Sequence, residues 1–198
     1  NRGDCFSVVG IARDVAALTG AAMEIPDVTV HTATTDAEQP VELIEPEGCP
    51  RFAGRVIRNI DPQAESPLWM TERLRRAGLR GISPVVDITN YVMLELGQPL
   101  HAYDHALVSG TIRPRMAKAG ESVLLLDERQ VELQPDTMVV TDDSGVIGMA
   151  GIMGGLSTAV TASTKDVYFE AAFWPQDIIA GRARSYGMHT DASLRFER

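Results

Sequence analysis

Glu170 lies in the run KDVYFEAAF, residues 165–173, among Val167, Phe169, Ala171, Ala172 and Phe173. A carboxylate in so apolar a run carries a heavy desolvation cost unless it is partnered or used. Two readings stand. In the first, Glu170 shares a strand face with Tyr168 and Ala172, points into a cavity and binds a ligand hydroxyl or amine; in the second, it is the solvent-facing residue of a half-buried strand. The other polar concentration is VVDITNYVMLELGQPLHAYD, residues 85–104, too apolar overall for a solvent loop. Its polar groups must be bonded or functional. Thr89 and Asn90 offer a hydroxyl and an amide to a ligand's ammonium or carbonyl, although Asn90 could equally satisfy backbone at a helix end. His101 suits the role of a neutral imidazole that orients a water, a carbonyl or a hydroxyl; its structural alternative is a bond to backbone.

Other chemistries are less well supplied. His101 and His105 have a spacing that holds a metal on a helix, but Gln98-Pro99 just upstream argues against a helix and no third ligand is near, so no metal is expected. Asp104 and Asp191 are candidate partners for Glu170 in a glycosidase-like acid pair, with nothing to fix their separation. A nucleophile elbow and a cysteine in a reactive context are both missing. The glycine-dense run VIGMAGIMGG, residues 146–155, lacks the strand, spacing and helix of a dinucleotide fingerprint and the Lys and Ser/Thr of a phosphate loop. Its expected use is close approach of backbone to a ligand or to another strand.

Composition bounds these options. With 198 residues and 44% hydrophobic content, the chain can bury a real core as one domain with appendages. A formal charge of -9 repels a phosphate backbone and disfavours a stand-alone nucleic-acid clamp, leaving Arg73, Arg75, Arg76 and Arg80, and Arg182 with Arg184, as local basic patches. Cys5 and Cys49 form neither a disulfide framework nor a zinc pattern and read as reduced, bland and cytosolic. No run is long and apolar enough for a membrane span, and no signal-peptide pattern opens the chain. The chain opens on Asn1 and closes on Arg198 within an apolar and charged alternation, and reads as a piece of a longer protein.

The elements that must position these residues follow from periodicity and punctuation. Residues 4–18 repeat apolar positions at helical spacing and stop at Gly20. Residues 21–50, with Pro26, Pro40, Pro46 and Pro50, read as a connecting arm containing one strand at 41–44. A strand is expected over 51–60. Ser66-Pro67 and Ser83-Pro84 each present an N-cap followed by proline at the first helical position, opening helices that end at Gly78 and Gly97. Short strands follow at 111–117, 122–126, 130–133 and 137–140, then a strand at 165–173, a helix at 175–185 and an extended, alternating segment at 189–198. The expected fold is α+β, a β-rich mixed-sheet core with helices packed against it in three layers. Residues 1–48 would form an N-terminal helix and arm, and residues 49–198 one domain.

Several stretches then agree with one family. NRGDCFSVVGIARDVA, CPRFAGRVI, SPLWMTERLRRAGLRGISPVVDITNYVMLELGQPLHAYD, GIMGG and GRARSYGMHTDASLRFER together resemble the β subunit of bacterial phenylalanyl-tRNA synthetase, in its central editing domain. The resemblance spans nearly the whole chain. It implies a post-transfer site that hydrolyses tyrosine wrongly esterified to tRNA(Phe) and spares the phenylalanyl ester. It also implies a set of site residues: Thr89, Asn90 and His101 at the ester end, with Glu170, Gly154, Thr190, Ala192 and Arg80 binding substrate. His105 and the arm over 32–39 depart from the family pattern. The implied partners are the acceptor end of tRNA(Phe) carrying tyrosine and the α subunit of an α2β2 assembly, in the cytoplasm. No cofactor is implied in this domain; ATP and magnesium serve elsewhere in the synthetase. The rival reading is a non-catalytic docking or scaffold module.

Overall fold

The computed structural model describes residues 2–25 and 28–198. Asn1 and Pro26, the latter read as part of the arm, lie outside the described residues. Along the chain come α1 (Val8–Thr19), β1 (Arg51–Ile57), α2 (Leu68–Arg76), α3 (Pro84–Leu96), β2 (His101–Asp104), β3 (Arg113–Met116), β4 (Ser122–Leu124), β5 (Gln130–Glu132) and β6 (Met138–Asp142). They are followed by β7 (Gly145–Met149), β8 (Met153–Gly154), β9 (Val167–Phe173), α4 (Gln176–Ile179), α5 (Arg182–Ser185) and α6 (Asp191–Phe196).

The fold is α+β. One sheet runs β1-β9-β2, a second runs β3-β6-β7-β8, and β4-β5 form a separate hairpin. All their pairings are antiparallel; the mixed character is confined to a single parallel bridge, Val41–Ile112. Val56, Tyr103, Tyr168 and Ala172 of the first sheet pack against Met138, Val140 and Ile147 of the second. Ala102 and Val167 on the outer face of the first sheet meet Val85 of α3. Helix, sheet and sheet therefore stack as three layers, and the far side of the second sheet is closed by Val123 of the hairpin, Ala183 of α5 and Met188. β9 is the central strand of its sheet and covered on both faces, which is why its burial does not alternate cleanly.

The helix signals act largely as expected. Ser83 caps α3 by accepting from Val86 N, and Gly97 ends it in the left-handed conformation at φ 82°. Ser7 caps α1, which packs on α3. Ser66 is not the cap of α2; Pro67 takes that position and the Ser66 hydroxyl donates to Asp87 Oδ2 at 2.5 Å. Three segments differ from expectation. Residues 41–44 make only the Val41 bridge. Residues 175–185 divide into α4 and α5 because Gly181 sits at φ 77°. Within residues 189–198, Asp191–Phe196 are helical, not extended: Thr190 Oγ1 accepts from Ser193 N at 3.0 Å while Ser193 Oγ accepts from Thr190 N at 3.2 Å, a capping box that starts α6.

Candidate functional site

Strand register assembles the site. His101 pairs with Glu170 and Tyr103 with Tyr168, so alternation brings His101 and Tyr103 of β2 onto the same sheet face as Glu170 and Tyr168 of β9. On the other flank Gly54 of β1 lies opposite Glu170. A Cβ at Gly54 would come within 1.8 Å of the Tyr168 hydroxyl oxygen, so glycine there makes room for that ring. The face looks into a small, partly open cleft of about 80 Å³. His101, Tyr103 and Glu170 form one wall; Gly154 of β8 with Met153 and Ile152 forms a second; Trp174, Ala192 and Phe196 close it.

Glu170 is 7% exposed, which removes the solvent-facing reading. Tyr103, 1% exposed, donates its hydroxyl to Glu170 Oε2, the only side-chain hydrogen bond of Glu170 among the described residues. Burial pushes the Glu170 carboxyl up to about 7, with the Tyr103 donation opposing the rise. Burial likewise pushes His101 down to about 4, so the ring is neutral at physiological pH. Its Nε2 is buried without a hydrogen-bond partner. The imidazole stands edge-on to Tyr103, centroids 4.4 Å apart, and rests on Gly154, where a Cβ would sit 2.2 Å from Cε1. The glycine run thus lets backbone approach a side chain closely, and Gly148 pairs with Gly154 across β7 and β8.

The sequence-derived candidates separate into two groups. Glu170, His101, Gly154 and Ala192 line the cleft together. Thr190 stands beside it as a pin, donating from Oγ1 to Ile152 O at 2.9 Å and so fixing α6 against the second wall. Thr89, Asn90 and Arg80 lie outside this lining. The Thr89 hydroxyl is spent inside α3 on Val86 O at 2.8 Å, a common use of threonine in a helix, and Arg80 is exposed between α2 and α3. The acid pair is not formed: Asp104 is buried and accepts from Thr164 Oγ1 at 2.6 Å, and Asp191 is exposed beside Arg195. His105 Nε2 bonds Gln39 Oε1 at 3.1 Å, away from His101's role in the wall. No group of three or more His, Cys, Asp or Glu able to hold a metal occurs among the described residues. Cys49 is fully buried, its thiol pushed up to about 12 by burial and the nearby Glu170 charge, and is therefore unreactive.

Sequence reasoning missed Tyr103, Trp174 and Phe196. Tyr103 had a signal, the two-residue offset from His101 in a segment that had turned β-like. Trp174 follows directly on β9, and Phe196 reaches the cleft because residues Asp191–Phe196 form a helix and not the extended segment that their alternation suggests.

A buried carboxylate, a neutral histidine and a glycine-lined wall thus meet at one cleft of an α+β domain. The B3/4 domain model matches residues 48–198, and the chain belongs to that family. It is 54% identical to the phenylalanine–tRNA ligase beta subunits of Pseudomonas fluorescens and Pseudomonas syringae pv. syringae, and 52% identical to that of Vibrio parahaemolyticus. Each match takes in 100% of this chain and 25% of the relative. The chain thus spans a quarter of the length of these curated relatives. Among solved structures it resembles an N-terminal fragment of the phenylalanyl-tRNA synthetase beta-subunit from Pyrococcus horikoshii, with TM-score 0.52 and 15% identity over 100% of this chain and 59% of that one, a likeness of fold. The chain is a B3/4 domain of the kind carried by phenylalanine–tRNA ligase β subunits.

Proposed function

We propose that this domain edits: it hydrolyses tyrosine misattached to tRNA(Phe) after transfer, within a β subunit that joins an α subunit in a cytoplasmic α2β2 ligase using ATP and magnesium elsewhere. The observation that carries the reading is Glu170, a buried carboxylate that shares one wall of the cleft with His101 and Tyr103 and faces walls of apolar side chains and glycine backbone. Tyrosine exceeds phenylalanine by one hydroxyl. A site that hydrogen-bonds that hydroxyl leaves its own buried acceptor unpaired when phenylalanine enters, which discriminates far more strongly than size does.

The remaining chemistry asks little. An aminoacyl ester is activated, so a positioned water and stabilisation of the oxyanion suffice. His101, neutral and with a pKa near 4, is too weak a base to carry the step and serves to orient the ester end or the water. Thr190 and Ala192 shape the wall, and Gly154 provides backbone beside the ring. Arg80, Thr89 and Asn90 would act from outside the cleft, on the terminal adenosine or in bracing α3. Their placement is also the observation that favours the second reading, a docking module for the tRNA without chemistry of its own.

Titrating the full ligase with free tyrosine and free phenylalanine separates the two. Editing predicts binding of tyrosine that is lost in Glu170→Ala, with little binding of phenylalanine at this site. Equal binding of both amino acids to wild type and variant would remove the reading.

A further inference from the structure

The register places Tyr103 diagonally from Glu170, on the same sheet face and one pair further along β2. Diagonal neighbours in an antiparallel sheet are within reach of a long side chain, and here the phenol spans the gap to Oε2. The Tyr103 ring has no freedom to leave. His101 stands edge-on at 4.4 Å, Tyr168 stacks on it with centroids 6.0 Å apart, and Tyr168 itself fills the space above Gly54. The hydroxyl is therefore placed by the sheet and not by a rotamer equilibrium.

Resting on the editing reading, we infer that Tyr103 is a positioning residue for phenol recognition. Its hydroxyl occupies Oε2 of Glu170, fixes the plane of the carboxyl, and leaves Oε1 to accept from the substrate's hydroxyl. The fixed plane matters for selectivity. A carboxyl free to turn finds another partner when phenylalanine is bound, and the penalty that separates the two amino acids shrinks; a carboxyl pinned through one oxygen keeps it. The donation also favours the ionised form, the form whose hydrogen bond with a phenol is charge-assisted. The titratable groups facing Glu170 are His101 and Tyr103 on β2, Tyr168 on β9 and Cys49 just before β1, with Asp142 of β6 acting on Tyr103. His101 is neutral and Cys49, Tyr103 and Tyr168 hold their protons, so no group in this set supplies a positive charge, and the neutral Tyr103 donor is what favours the ionised form of Glu170.

The test is Tyr103→Phe in the full ligase, which keeps the ring against His101 and Tyr168 and removes only the donor. Clearance of tyrosyl-tRNA(Phe) and attack on phenylalanyl-tRNA(Phe) are followed over about pH 6 to 9, bracketing the carboxyl titration. The expected result has two parts. Discrimination falls on the order of tenfold near neutrality; the midpoint of the pH dependence of tyrosyl clearance moves up by about one unit, with recovery at alkaline pH. A uniformly lower rate with an unmoved midpoint would show a packing role only, and unchanged discrimination would also overturn the assignment. A wild-type ligase that leaves tyrosyl-tRNA intact at every pH overturns the editing reading beneath it, whereas wild-type clearance with an unaltered Tyr103→Phe profile overturns this inference alone. Infrared titration of the protonated carboxyl band, isolated by difference against Glu170→Gln, reads the same pinning without activity: the midpoint rises in Tyr103→Phe, and an unmoved midpoint overturns it.

Discussion

Two buried carboxylates of this domain are treated in opposite ways. Asp87, 2% exposed near the start of α3, accepts from Ile82 N at 2.8 Å and from the Ser66 hydroxyl at 2.5 Å, so each oxygen has a donor and the segments leading into α2 and α3 are tied together. Glu170, 7% exposed, has one donor, Tyr103, on one oxygen and faces a cleft with the other end of its environment apolar. A buried group whose bonding is complete holds structure. One whose bonding is half complete carries a cost that a ligand can relieve.

The largest expected effect tests the structural side of that contrast. Asp87→Ala strips the acceptor from a backbone amide and a hydroxyl at once, and denaturant unfolding should show a loss of about 4 kcal/mol. Glu170→Gln should cost little or stabilise above neutral pH, because it removes a charge that burial disfavours. Equal losses for the two would erase the distinction.

The second effect is in pH dependence. Glu170 has its folded pKa raised from 4.5 to about 7, so the folded state holds the extra proton and stability falls as pH rises through that window. His101 has its folded pKa lowered from 6.5 to about 4, so the unfolded state holds the extra proton and stability rises with pH over about 4 to 6.5. Each contributes about 3 kcal/mol and the two oppose each other where the windows overlap. Glu170→Gln should unmask the rise due to His101, giving a steeper gain in stability between about pH 4.5 and 6.5 than wild type shows. Superimposable profiles would contradict the Glu170 shift, and a variant profile flat over about pH 4 to 6.5 would contradict that of His101.

Much of this was legible in the sequence where a local rule had a local cause. Ser83-Pro84 and Gly97 bounded α3 because cap, proline and left-handed glycine act within a few residues. The apolar setting of Glu170 and the need for glycine near Gly154 were visible for the same reason. What was not legible depended on distant partners. The alternation in HTDASLRFER suggested a strand, but the Thr190–Ser193 capping box and the docking of Thr190 on Ile152 make a helix, and with it the wall formed by Ala192 and Phe196. Thr89 and Asn90 are adjacent to the site in sequence, yet α3 lies on the far face of the sheet that carries Glu170, where Val85 packs on Ala102 and Val167. Only the register of β2 against β9 reveals that Tyr103 reaches Glu170.

Smaller effects sharpen the boundary of the cleft. Gly154→Ala places a methyl against a His101 ring backed by Tyr103, and tyrosyl clearance should fall on the order of a hundredfold while the fold survives in a thermal melt. Arg80→Ala, at an exposed side chain outside the cleft lining, should change stability by less than about 0.5 kcal/mol; a larger loss would mean that Arg80 braces the domain.

The central claim is that Glu170 reads the tyrosine hydroxyl. It is tested most directly by deacylation of tyrosyl-tRNA(Phe) by the full ligase, wild type against Glu170→Ala, with phenylalanyl-tRNA(Phe) as control. The account predicts lost clearance of the tyrosyl ester or new attack on the phenylalanyl ester. Unchanged rates on both would take Glu170 out of the site and leave a docking module.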